Sequence, residues 1–196
     1  LPFATETPEG KLKFVGIHYD KLPAGVKLAL VPFRITDATT GEDLPNANKI
    51  VKEFETTKVD GVYGDLEYVS KDDTNSVVRN WKSESFQHQL LKKGWMPAHP
   101  TLFLKKEVYV KHGFFNITYK IAADYDFMLR VLKDASLKFS YLPNVITKMR
   151  VGGASNRSLN NIIQKTKEDY RAVTSNKVGG FFTILRKNTS KIKQFF

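Results

Sequence analysis

From Ile50 to Val173 the chain alternates short apolar runs of strand length with stretches whose apolar residues recur at helical spacing. That alternation indicates an α/β fold rather than a bundle or a sandwich. Val59–Val69 reads as a strand, Lys71–Asn75 as a polar hairpin tip and Ser76–Lys82 as the returning strand. Thr101–Leu104 is a short apolar strand, and Lys106–His112 a helix that Gly113 stops. The clearest helix is Ala123–Lys133, where Phe127, Met128, Val131 and Leu132 form one stripe. Phe139–Leu142 and Val145–Arg150 read as strands around Pro143-Asn144. Ser158–Val173 reads as a second amphipathic helix with Leu159, Ile162, Ile163, Tyr170 and Val173 on its apolar face.

Residues 1–49 differ in texture. Residues 1–10 read as an irregular lead with two prolines, followed by strands at Lys11–Tyr19 and Val26–Thr36. Pro45–Asn48 reads as a linker, and Ile50–Phe54 as a short helix behind it. The expected organisation is a small β unit at 1–49 and a main domain at 50–196. The 196 residues, 41% hydrophobic, suffice for this.

Composition narrows the partners. With no cysteine, disulfides and thiolate metal sites are excluded. No apolar run approaches the roughly 20 residues of a spanning helix. The net charge is +11. Residues 1–49 hold six basic and six acidic residues, so 31 − 6 = 25 basic and 20 − 6 = 14 acidic residues lie in 50–196, which carries all of the excess. Such an excess suits phosphate groups or anionic lipid, or is simply a solvated basic surface. No RNA-binding aromatic motif or helix-turn-helix supports a nucleic-acid partner, and none is expected.

Four segments carry a more specific signal. They are Val62-Tyr63-Gly64-Asp65-Leu66-Glu67-Tyr68, then Met96–Phe103 with His99-Pro100-Thr101, then Gly113–Asn116 followed by Ala122–Arg130, and last Met149–Ser155. In order and spacing they resemble the acceptor-side half of family 2 glycosyltransferases. The resemblance implies a partial GT-A (Rossmann-like) mixed sheet with helices, preceded by the small β unit. It implies inverting transfer from a nucleotide-sugar to a glycan acceptor in bacterial polysaccharide biosynthesis, with a divalent metal (Mg or Mn) at the donor. The expected location is cytoplasmic, peripheral on the inner face of the bacterial membrane where the tail 177–196 meets an anionic surface. Residues 1–49 lack the family's opening strand–helix pair and its paired aspartates. Asp37 is the nearest stand-in for the metal ligand. The alternative is a non-catalytic sugar- or partner-binding module derived from such an enzyme. A half-domain also leaves an apolar face, which residues 1–49 or a second copy in a homo-oligomer would cover.

Each candidate residue has a functional and a plainer reading. The resemblance makes Asp124 the base that takes the acceptor proton; an acid in the first turn of a helix is also stabilised by the helix dipole. Asp126 orients the site or bonds Arg130 one turn on. His99, in rigid Pro97-Ala98-His99-Pro100, suits a sugar or phosphate, or is a loop histidine fixed by the fold. Asp65, with Glu67 two residues on, is a candidate for acceptor or donor binding, or part of a strand's cleft face. Arg150 and Ser155, flanking Gly152-Gly153, suit a diphosphate, or form the turn into the next helix. The tail Lys177–Phe196 has five basic residues, no acid and several phenylalanines. It is expected to be helical after Gly179-Gly180, its aromatic side buried in the domain or in an anionic membrane surface.

Overall fold

The computed structural model describes residues 2–6, 12–16, 45–151 and 159–190. It is a mixed α/β structure. Strands β1 (Pro2–Glu6) and β2 (Leu12–Gly16) form an antiparallel pair of their own. The irregular lead expected at 1–10 is thus in part a strand: proline is tolerated at the first position of an edge strand, where no ladder N–H is required. The strand expected at 26–36 lies outside the described residues.

Helix α1 spans Pro45–Thr57, so the expected linker is its first turn. Proline there fits, because the first N–H groups of a helix have no intrahelical acceptor. Strand β3 (Gly61–Val69) is the centre of a four-stranded mixed sheet. Strand β6 (Phe139–Arg150) runs parallel to it along one edge. The other edge is shared by two antiparallel strands, β5 (Phe103–Leu104) at Gly61 and Val62 and β4 (Val77–Trp81) at Leu66–Val69.

The two strands expected around Pro143-Asn144 are one strand with a bulge. The register steps from Tyr63↔Tyr141 to Asp65↔Val145 and then Leu66↔Thr147, so β6 takes up extra residues opposite Gly64. The bulge presses onto β3. A Cβ on Gly64 would lie 2.3 Å from Ile146 Cδ1 and 2.8 Å from the Asn144 carbonyl oxygen, so only glycine fits.

Helices cover both faces of β3. Val62 packs with Ile50 and Phe54 of α1, together with Phe103 and Ile146. Tyr63 belongs to the larger core on the opposite face, with Phe127, Met128, Val131 and Leu132 of helix α4 (Ala123–Leu132). The stripe read from the sequence is therefore the stripe that is buried, each side chain contributing roughly 1.5–3 kcal/mol. Two shorter helices, α2 (His88–Lys92) and α3 (Lys106–His112), flank α4. Gly113 ends α3 at φ +73°, a conformation glycine adopts without strain.

Helix α5 (Leu159–Ser175) departs from expectation. Ile162, Ile163 and Tyr170 are about half exposed, whereas Glu168, Asp169, Ala172 and Val173 are buried. Val173 of the expected stripe is buried as read, but Ile162, Ile163 and Tyr170 are turned outward because the two acids have partners inside. Helix α6 (Phe181–Ser190) follows and packs on α5. Among the described residues no helix is long and apolar enough to cross a membrane.

Candidate functional site at the carboxyl ends of β3 and β6

Asp124 sits in the first turn of α4, half-buried, its Oδ1 accepting the Tyr125 N–H at 2.7 Å. The segment leading into α4 is clamped from α5. Glu168 accepts backbone N–H groups from Lys120 at 3.0 Å, Ile121 at 2.8 Å and Ala122 at 2.9 Å. Gln164 donates to the same carboxylate at 2.8 Å. Burial pushes the Glu168 carboxyl up, but the bonds from Gln164 and from the Ala122, Ile121 and Lys120 amides outweigh it and hold it at about 2.

His99 opens a 3-10 turn, His99–Thr101, packed against both β3 and α4. Thr101 replaces the expected first residue of a strand with an anchor. Its hydroxyl lies 2.9 Å from the Gly64 carbonyl and 2.8 Å from that of Ala98. Gly64 is the stretch of β3 edge between the two antiparallel strands, so Thr101 and the Ser83 hydroxyl (3.2 Å) satisfy an acceptor that the sheet leaves open. Thr147 Oγ1 donates to the Pro100 carbonyl at 3.1 Å and ties the turn to β6 as well. The imidazole packs edge-on against Phe115, centroids 5.4 Å apart.

Asp124 and His99 are joined electrostatically. Burial pushes the His99 imidazole below its ordinary value, and the Asp124 carboxylate partly restores it. Tyr68, near the end of β3, feels the same carboxylate: burial raises its hydroxyl pKa, Arg79 opposes, and Asp124 adds to the rise. Arg79 is the cross-strand partner of Tyr68. Its guanidinium lies 4.8 Å from the Tyr68 ring centroid and 5.5 Å from that of Trp81. Asp124 thus acts on both His99 and Tyr68, with Arg79 beside Tyr68, near the end of the sheet where parallel α/β strands present their ligand crevices.

The other sequence candidates separate. Asp126 is buried and works inside the fold, its Oδ2 3.0 Å from Arg130 Nε and its Oδ1 accepting Asn176 Nδ2 at 2.9 Å. Arg130 in turn donates to the carbonyls of His112 and Phe114. Asp65 is also buried, accepting the Ser83 N–H at 2.8 Å and the Tyr141 hydroxyl at 2.9 Å. Burial, then the bond to Asp65, pushes Tyr141 up to about 12. Arg150 is exposed, the last residue of β6, paired with Val69 at the same end of the sheet as Tyr68. Asp37 and Ser155 lie outside the described residues. Among the described residues no three His, Cys, Asp or Glu side chains converge as a metal-ligand set.

Sequence reasoning missed that Tyr68, with Arg79 across the strand from it, feels the Asp124 carboxylate, and missed Glu168 as the clamp before it. A cross-strand reading of Val59–Val69 against Ser76–Lys82 could have paired the first two. Nothing in the sequence marked Glu168. No family model matches the chain, and no curated protein matches its sequence.

Proposed function

We propose that this chain is a family 2 glycosyltransferase-like domain with the GT-A arrangement, taking a glycan acceptor at the carboxyl ends of β3 and β6. The observation that carries the reading is the shared environment of Asp124, His99 and Tyr68, on segments whose order resembles that family. In the proposed step the acceptor hydroxyl oxygen forms a bond to the anomeric carbon with inversion. Its proton passes to the Asp124 carboxylate, and the bond to the nucleoside diphosphate breaks with the electron pair leaving on that group. His99, its pKa lowered by burial, is neutral near pH 7 and serves as a hydrogen-bonding group to a sugar hydroxyl. Arg150 offers a cation to phosphate at the same rim. Asp65 and Asp126, engaged by their protein partners, act by holding the walls.

A donor diphosphate calls for a divalent cation, Mg or Mn. The described residues supply no ligand set for one. The engagement of Asp65 and Asp126 within the fold equally suits the second reading, a rigid sugar- or partner-binding module without transfer.

Turnover with a panel of nucleotide-sugars and glycan acceptors tests the assignment. Asp124→Asn keeps the shape and removes the base, so turnover falls about 10²–10⁴-fold while acceptor binding survives. Unchanged turnover overturns the role of Asp124. A wild-type chain that binds glycan but neither transfers nor hydrolyses any nucleotide-sugar establishes the second reading.

A further inference from the structure

Helix α6 docks with its polarity reversed. Thr183, Ile184 and Lys187 face inward and are buried. The Lys187 ammonium lies 2.8 Å from Asp169 Oδ2 and 3.1 Å from the Tyr125 ring centroid. Thr183 Oγ1 donates to the Lys92 carbonyl at 3.1 Å. Close approach at this point requires Gly94, on which a Cβ would lie 2.5 Å from the Thr183 carbonyl oxygen. These polar contacts fix how the helix is rotated.

The consequence is an aromatic face turned to water. Phe181 is 66% exposed, Phe182 74% and Leu185 49%. Of the two expected fates of the aromatic side, in the domain or in lipid, the first does not hold for Phe181 and Phe182, because Thr183, Ile184 and Lys187 take the inward positions. Exposed cations flank the face in the chain or across the contact: Lys177, Arg186, Lys92 and Lys93. Residues 177–190 contain no acid. An open groove of about 520 Å³ begins beside them, its lining including Lys92, Lys133, Lys177, Arg130 and His112 and one acid, Asp134.

We propose that this face of α6 docks on an anionic bilayer. Phe181, Phe182 and Leu185 enter the headgroup–acyl boundary, and the surrounding cations meet lipid phosphates. The charge selects this occupant. A second copy in a twofold contact would set the same cations against each other. Two phenylalanines and a leucine are also far short of the roughly 800 Å² per partner of a stable protein interface. Two rings and a few cations together give reversible attachment.

Vesicle co-sedimentation of the full chain tests this without any sugar donor, so its outcome is independent of the transferase reading. Vesicles of phosphatidylcholine alone are compared with vesicles containing phosphatidylglycerol. The wild type sediments with the anionic vesicles only, and less as salt rises. Phe181→Gln/Phe182→Gln alters exposed positions, so the melting temperature holds while affinity for anionic vesicles falls about 10–100-fold. Lys177→Gln/Arg186→Gln weakens binding roughly fivefold per cation at low salt. Equal sedimentation with both vesicle types, or a phenylalanine variant that binds like wild type, overturns the proposal. So does phenylalanine-dependent dimerisation in the absence of lipid, which would assign the face to a second copy.

Discussion

Glu168 on α5 accepts the backbone N–H of Ala122 at 2.9 Å, two positions before Asp124. One buried carboxylate thereby fixes the direction in which α4 enters the fold and presents its first turn. The next residue, Asp169, holds α6 through Lys187. Adjacent acids on one helix thus hold the candidate site through Ala122 and the exposed aromatic face of α6 through Lys187.

Glu168→Gln keeps the shape and removes the charge that three amides and Gln164 face. At pH 7 the loss is about 2 kcal/mol of stability. The wild-type carboxyl, held at about 2 against an ordinary value of 4.5, binds fewer protons folded than unfolded in that interval. Its contribution is full above pH 4.5 and disappears as pH falls toward 2. Urea unfolding at pH 7 and pH 3 checks this: the gap between wild type and variant narrows in acid. A gap that is constant with pH rules out the clamp.

The His99 imidazole should titrate below 6.5 in NMR spectra of the labelled chain, because burial lowers it. Asp124→Asn removes the charge that opposes burial, so the same resonance moves lower still. In this interval the folded chain binds fewer protons than the unfolded one, and acid costs stability. A His99 titration indifferent to Asp124 would mean the two do not share a site.

Asp169→Asn removes a carboxylate 2.8 Å from a buried ammonium and costs roughly 3–5 kcal/mol. Lys187→Met costs less, because Lys165 remains 3.4 Å from Asp169. Thermal denaturation of the two single variants and the double variant gives the coupling directly. Strictly additive losses would show that the pair does not act as a unit.

Much of the sheet and its main helix was legible before the fold was known. Val59–Val69 and the Phe127–Leu132 stripe announce themselves by periodicity, and Phe139–Leu142 and Val145–Arg150 do so as the two halves of what is one bulged strand. The placement of Asp124 in the first turn of α4 and of His99 in a rigid turn was legible for the same local reason. Their proximity was not, because 25 positions separate them and only the packing of the 3-10 turn between β3 and α4 closes the gap. Asp126 was read as a partner for Arg130 from the four-residue spacing alone, and that bond is present.

The sequence by itself determined most of the elements from Gly61 onward, the apolar stripe of α4 and the basic excess of residues 50–196. Tertiary structure decided which faces of α5 and α6 turn inward. Hydrophobic pattern predicts burial only when polar groups have nowhere better to go. Glu168, Asp169 and Lys187 are buried because three backbone amides, an ammonium and a carboxylate sit at the matching positions. Those partners come from segments up to 48 residues away. A local reading therefore assigns Ile162 and Ile163 of α5 and Phe181 and Phe182 of α6 to the core, and the folded chain leaves them at the surface.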